Sequence, residues 1–496
     1  MLTAALLDRV SERDIGSHLW AAAKFDKETQ LVRDPIAIAD AKWVDRIALR
    51  DVIRDRAFRG SSPSGRVVQR YPKGFDRDRY RLLSSMDLLD QLAFRALVSP
   101  LVAPVERALS SSVVAHRFVG EAAGWNQRPV YEGWKDRRAR LMPVFAADPS
   151  LFLLVMDVKN YYASLSIETL RVSLSSLGID DFCWRPAMDF LECFEGLPGS
   201  VAGVPIGPEA SGVLGAVGLT AIDRGLRDKQ FARMVDDVWV VATSRSQALS
   251  EAEHTSMQMR LLGLAPNDSK TMVLNATEAL ALISDAGTSY MTRGGRVVGE
   301  SEALATLFSA ISEQNESRFR FALGALSRIN SPAAVPVLLG DLDLIDVDPR
   351  ATGRYLHRVT PLLTERCVGL MIDHVAASGD DHLIPGQQSM ALALGSRPLS
   401  TAQADRLLAA AVNSSERKRR GVCSAAIVAA GRAPNSDRRL ESAMDYAESI
   451  DDLDLRRAVA CGLKRHSRPK TKRAAWTQLC RIDHEIRPFV RPLLGC

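Results

Sequence analysis

Residues 231–242 read Phe-Ala-Arg-Met-Val-Asp-Asp-Val-Trp-Val-Val-Ala, two adjacent aspartates inside an apolar run. This pair constrains the fold more than any other feature of the chain. A buried carboxylate is costly unless it is paired or bound to a cation. The apolar run resumes at once with Val238, Trp239, Val240 and Val241. Asp236 and Asp237 therefore mark the tight turn of a β-hairpin, where both side chains can reach one spot. Two carboxylates held at such a place call for a divalent cation.

A third acidic residue lies where it can join them. Residues 151–156 are a continuous apolar run of strand length, the pattern of a strand covered on both faces. Asp157 follows, where that strand emerges. If the two elements are neighbours in one sheet, Asp157 and Asp236 converge. Hard oxygen ligands of this kind can bridge a pair of Mg²⁺ ions about 3.5–4 Å apart, the arrangement for in-line phosphoryl transfer.

The chain of 496 residues is long enough for two or three domains. Residues 1–145 are rich in Arg and Asp, with helical stretches at 44–56 and 86–109 and a Gly/Ser/Pro loop at 60–65. Residues 205–223 begin with Pro and Gly and then read as a small-residue helix. From 301 onward the pattern is helical: Phe319, Ala322, Leu323, Leu326 and Ile329 share one face. Ser400 and Gln403 form a capping box, and Gly431 with Pro434 ends the helix of residues 422–430. Such helices recur at roughly 20–40 residues, so a HEAT-like repeat and a non-repetitive bundle both stay open.

The seven cysteines form no Cys-x-x-Cys, and the eight histidines show no ligand spacing, which points to reduced thiols in a cytoplasmic protein. No signal peptide is expected, and no apolar run approaches about 18 residues, so no membrane span is expected. A net charge of +5 is compatible with nucleic acid without demanding it. Residues 341–348 are acidic but lack the glycine and distal glutamate of a calcium loop.

Four segments resemble the motifs of reverse transcriptases, in their order. Asp157-Val-Lys-Asn-Tyr-Tyr162 resembles motif A, and residues 203–211, Gly-Val-Pro-Ile-Gly-Pro-Glu-Ala-Ser, resemble motif B. Residues 233–237 resemble the Asp-Asp hairpin of motif C, and residues 262–271 resemble motif D with Asn267 and Lys270. Upstream, residues 71–83 resemble the basic fingers segment. The resemblance implies an α+β right-hand polymerase, fingers and palm with an antiparallel sheet, followed by an all-α, HEAT-like helical repeat domain. Its divisions fall at 1–145 (N-terminal region and fingers), 146–283 (palm with part of the fingers), 284–300 (junction) and 301–496 (helical repeats).

It also implies roles. Asp157, Asp236 and the main-chain carbonyl of Val158 would bind two Mg²⁺, with Mn²⁺ as a substitute, and Asp237 would support the site with a weaker claim to ligation. Lys270 would donate a proton to pyrophosphate, the alternative being a surface lysine. Tyr162 would exclude a ribose 2′-hydroxyl, the alternative being core packing, while Tyr161 packs. Lys73, Arg79 and Arg81 would meet the triphosphate of an incoming dNTP, the alternative being a solvated charged face, and Pro205, Gly207 and Ser211 would shape the nucleotide pocket. The basic clusters holding Arg417, Lys418, Arg419, Arg420, Lys470, Lys472 and Arg473 would line a channel for product DNA or a noncoding RNA, the alternative being solvated helix ends.

Two departures stand out: Ile206 replaces the usual Gln of motif B, and Met234 replaces an aromatic of motif C. No primer grip, RNase H, maturase or integrase signature is found. The Pro-Ile-Gly-Pro form with a helical tail is most similar to bacterial abortive-infection and defence-associated reverse transcriptases. That subgroup implies oligomers formed through the helical region and untemplated DNA synthesis from a protein hydroxyl, with Tyr71, Tyr80, Tyr290 and Tyr355 as candidates. A conventional RNA-templated reverse transcriptase and a catalytically idle RNA- or protein-binding scaffold remain the alternatives.

Overall fold

The computed structural model describes residues 44–58, 67–119, 125–195, 202–288, 299–377, 384–414, 419–431, 433–434, 437–463 and 469–494. The loop expected at 60–65 and most of the junction lie outside these residues.

At the centre is a four-stranded antiparallel sheet of β5 (Phe152–Asp157), β6 (Phe231–Met234), β7 (Asp237–Ala242) and β8 (Met272–Asn275), in the order β6-β7-β5-β8. β5 is interior and apolar on both faces, as its sequence requires. Leu154 and Met156 face one core with the helices Ala210–Gly218 and Asp181–Glu195. Leu153 and Val155 face another with Leu141, Phe145 and Ala279. The alternation of a pleated strand thus serves two layers at once. β5 and β7 pair with Asp157 directly opposite Asp237.

Upstream, β1 (Val67–Lys73) and β2 (Asp76–Ser85) form a hairpin turning at Gly74, where φ is +74°. A two-stranded ribbon of β3 (Phe118–Val119) and β4 (Asn126–Gln127) follows the helix Leu88–Ala108. That helix is long and apolar enough to cross a membrane, yet 72% of its apolar window is buried inside the protein. Asp90, Arg95 and Glu106 interrupt its apolar residues, and it divides two cores: Leu88, Leu89 and Leu92 face one, Phe94, Leu97 and Leu101 the other.

The region after 299 is helical throughout its described residues. Helices starting at Glu316, Pro349, Ile384, Arg420 and Leu453 pack each on the next to form one row, and those starting at Glu365, Thr401, Asp437 and Pro469 form a second. The step is about 35 residues, a two-row stack of the kind in which each unit needs its neighbours to cover its apolar face. The capping box at Ser400 and Gln403 is present. The stop at Gly431 is present for another reason than expected: its φ is −64°, not left-handed. A Cβ there would come within 2.6 Å of Gly462, so close helix packing demands the glycine.

The stack does not stand apart from the N-terminal half. Its core is continuous with Leu49 and Ile53 of the helix Arg46–Phe58, which packs on the helix Arg487–Leu494. Phe75, at the tip of the β1–β2 hairpin, meets Phe319 edge-on. Residues 341–348 act within this packing: Asp348 caps the helix Pro349–Val359 and pairs with Arg320 at 2.9 Å.

Candidate active site

The hairpin joining β6 and β7 has two turn residues, Val235 and Asp236. Val235 has φ +62°, a region that a β-branched side chain rarely occupies. Strain of this kind costs on the order of 1–3 kcal/mol and persists only where the surroundings over-determine it. Arg233 provides that support. Fully buried, it grips Asp223 through two nitrogens (2.7 and 2.6 Å) and donates to the carbonyls of Val235 (2.8 Å) and Ala216 (3.0 Å). Its own backbone is clasped by Ser112 and Val114.

The hairpin sets Asp236 beside Asp157, and the main-chain oxygen of Asp236 accepts from Val158 N at 3.3 Å. Burial, followed by the charge of Asp157, pushes the Asp236 carboxyl up to about 6. Asp157 is held by the loop that follows the helix Arg245–Leu261. Asn267 Nδ2 donates to Asp157 Oδ1 at 2.8 Å, Lys270 Nζ lies 2.7 Å from Oδ2, and Asn267 N donates to the main-chain oxygen. Val158 is buried and bridges Pro266 of that loop.

The expectation that both hairpin aspartates reach one spot is corrected. Asp237 begins β7, and its carboxylate turns to Arg137 (2.6 Å) and Trp239 Nε1 (2.6 Å). Asp236 stays in the turn, whereas Asp237 is the first residue of β7 and both of its oxygens are taken by these two donors. Among the described residues no group of three or more His, Cys, Asp or Glu side chains is arranged to hold a metal. What remains is a pair of neighbouring carboxylates, Asp157 and Asp236, with the Lys270 ammonium already against Asp157. A hard divalent cation fits such a pair of oxygen donors.

Motif B lies against motif A. Val204 N donates to the carbonyl of Tyr162 at 2.8 Å, and a Cβ on Gly203 (φ +83°) would come within 2.5 Å of the same oxygen. Gly215 and Gly218 give Tyr162 and Tyr161 their room: a Cβ at either would overlap those rings or hydroxyls. Tyr161 is buried and donates to the carbonyl of Gly215 at 2.6 Å, the packing role expected of it. Tyr162 is half-buried, its hydroxyl 2.8 Å from His116 Nε2, while Gln127 engages the other ring nitrogen. Burial and the charge of Arg233 lower His116 to about 4, so it is neutral.

Ser211 is buried, its hydroxyl donating to the carbonyl of Pro205 at 2.6 Å and closing the loop. β2 touches the loop through Ser84 N and the carbonyl of Ile206, and through Ser84 O beside Gly207. Arg81 on β2 is exposed and near enough to influence Tyr162. The side chains of Lys73 and Arg79 lie outside the described residues. Glu209 at the start of the Ala210–Gly218 helix forms a buried pair with Arg95 at 2.6 Å.

The basic cluster of residues 416–420 is corrected where it is described. Arg419 is buried and donates to the carbonyl of Val375, and Arg420 pairs with Asp452 at 2.5 Å and faces Asp454. Both guanidiniums are used inside the helical stack and present no channel surface. Arg417 and Lys418 lie outside the described residues. Lys470 and Arg473 are exposed, and Lys472 rests over the Trp476 ring. Of the tyrosines considered as primers, Tyr71 and Tyr355 are buried, Tyr80 is exposed on β2, and Tyr290 lies outside the described residues.

Several site residues carried little sequence signal. Arg137 sits in a charge run that reads as a solvated face, and His116 and Gln127 stand alone. Arg233 had a signal, an arginine inside a strand-length apolar run.

No protein-family model matches this chain, and no curated protein matches it. Among solved structures it is similar to apo telomerase from Candida tropicalis truncated from the C-terminal domain, at 14% identity and TM-score 0.29, covering 42% of this chain and 49% of that one. The untruncated apo telomerase from the same organism gives 12% identity and TM-score 0.33 over 66% and 68%. Telomerase from Candida albicans in complex with a TWJ fragment of telomeric RNA gives 12% and 0.30 over 70% and 62%. The chain thus spans about half the length of the first of these structures.

Proposed function

We propose that the chain is a nucleotidyltransferase of the reverse transcriptase type that adds dNMP units to a hydroxyl, in antiphage defence. One observation carries this reading: Asp157, Asp236, Asn267 and Lys270, from three segments up to 113 residues apart, meet at one end of an antiparallel sheet. Asp157, Asp236 and the Val158 carbonyl would hold divalent cations, which supply an activated hydroxyl nucleophile and neutralise the departing pyrophosphate.

The chain's own side chains divide the remaining work. Lys270, paired with Asp157, would hand a proton to the departing pyrophosphate. Arg81 on β2 offers its guanidinium to the triphosphate. The Tyr162 ring, seated on Gly215 and tied to His116, would close the pocket against a 2′-hydroxyl. Pro205, Ile206 and Gly207 would line the nucleotide pocket, with Ser211 fixing the shape of their loop through its bond to the Pro205 carbonyl. The defence setting draws support from the Pro-Ile-Gly-Pro form of that loop and from the helical stack behind it.

Untemplated, protein-primed synthesis is part of the proposal. Of the tyrosines considered, Tyr80 has an exposed ring. The protein is incubated with Mg²⁺ and each labelled dNTP, with and without template and primer, alongside Asp236→Ala. Incorporation without template, lost in the variant, is expected, with label retained on denatured protein and lost in Tyr80→Phe. Incorporation only with template favours a conventional reverse transcriptase. No incorporation under any condition leaves an idle scaffold.

A further inference from the structure

Arg137 is fully buried, yet it arises from a helix, Val130–Ala147, that supplies none of the residues given a chemical role above. Its guanidinium lies flat between two indoles, 4.0 Å from the Trp134 ring centroid and 3.7 Å from that of Trp239. From this slot it reaches Asp237 Oδ2 at 2.6 Å, while Trp239 Nε1 donates to Oδ1 at 2.6 Å. Each oxygen of Asp237 therefore has its own donor, and the two donors are stacked on one another. A guanidinium held over aromatic faces has few rotamers left, so this partner is fixed rather than incidental.

We infer that Arg137 is a positioning residue that removes Asp237 from the ligand set: the hairpin presents one aspartate to metal and anchors the other on an internal cation. The inference rests on the metal-binding part of the reading above. Two adjacent carboxylates in one turn would otherwise add their charges beside Asp157. With Arg137 in place, the second carboxylate is neutralised from behind, and its strand start is pinned to the helix Val130–Ala147. The sheet edge that carries Asp236 is thereby tied to a second layer of the protein.

The test uses Mn²⁺ alone, titrated into the full chain and read by the loss of its free paramagnetic resonance signal, with thermal unfolding measured in parallel. Asp236→Asn is expected to weaken Mn²⁺ binding by about 30-fold or more, as loss of a ligand does. Asp237→Asn is expected to weaken it about 10-fold, because Arg137 then faces the site uncompensated. The double variant Arg137→Met with Asp237→Asn removes both charges, so its affinity should return to within about 3-fold of the parent.

A double variant that binds Mn²⁺ as poorly as Asp236→Asn would show that Asp237 is a ligand and overturn the inference, leaving nucleotide incorporation by the parent untouched. A parent protein that takes up no Mn²⁺ would overturn both the inference and the metal-dependent reading. Arg137→Met alone should unfold earlier than the double variant, since it strands a carboxylate. Equal midpoints for these two would also count against it.

Discussion

Lys270 sets its ammonium 2.7 Å from Asp157 Oδ2, the carboxylate that a divalent cation would need. The lysine side chain is half exposed, at 47%, so it can leave without unfolding its loop. Lysine and metal are therefore rivals for one oxygen. Lys270→Met should bind Mn²⁺ about 2- to 5-fold more tightly, the scale of an exposed ion pair, while turnover falls. Unchanged Mn²⁺ affinity in a direct titration would remove the rivalry.

Asp236 gives a pH dependence with a definite sign. Its folded-state value, about 6, lies above the ordinary carboxylate value of 3.8. The folded state thus binds this proton more tightly, and the group's unfavourable effect grows as pH rises from about 4 to 6, then stays constant. Metal-free Asp236→Asn should be more stable than the parent at pH 7.5 by about 3 kcal/mol, with the advantage gone near pH 4. Denaturant unfolding at the two pH values decides it.

The Arg233–Asp223 pair is buried at both ends and props the strained turn at Val235. Asp223→Ala would strand a guanidinium in the core, and a loss of about 3–5 kcal/mol is expected. Asp223→Asn should recover part of that, and incorporation should fall with stability. A small change on equilibrium unfolding would mean that the turn holds itself.

Tyr162 and His116 form one unit through their 2.8 Å contact. Tyr162→Ala should raise ribonucleotide use relative to deoxynucleotide about 10-fold or more, whereas Tyr162→Phe keeps the ring. His116→Ala should shift the same ratio in the same direction by less, because the ring remains but swings. Ratios of kcat/KM for paired nucleotides are the readout, and an unmoved ratio in Tyr162→Ala would retire the gate.

The parts of the site carried by local pattern were legible in the sequence. The apolar run before Asp157 requires a strand, and the turn at Asp236 requires a hairpin; that the two pair in one sheet was a condition of the reading, and the structure meets it. What stayed hidden depends on partners far along the chain. Arg137 meets Asp237 across 100 residues, and nothing in its charge run distinguishes it from Arg138 or Arg140. Arg419 and Arg420 read as a surface cluster because Gln387, Asp452 and Asp454, which absorb them, come from other helices of the stack. The partners of Asp237 were hidden in the same way: the guanidinium that meets its carboxylate comes from another helix, and only the fold brings it there.

The N–H of Asp45 donates to the carbonyl of Pro488 at 2.9 Å, and the helices on either side of that bond cover one another. A free-standing helical stack melts from its ends inward, each unit nearly on its own. Here the outer end is clasped to Leu49 and Ile53, which share a core with the helix Leu88–Ala108 beneath the β1–β2 hairpin. The last helix of the stack therefore has a partner outside the stack, and the core it shares with that partner opposes its fraying. The contact spans more than 400 residues of chain, so its loop-closure entropy is of a kind that no local helix formation offsets, and the core shared by Leu49, Ile53 and the stack must do so.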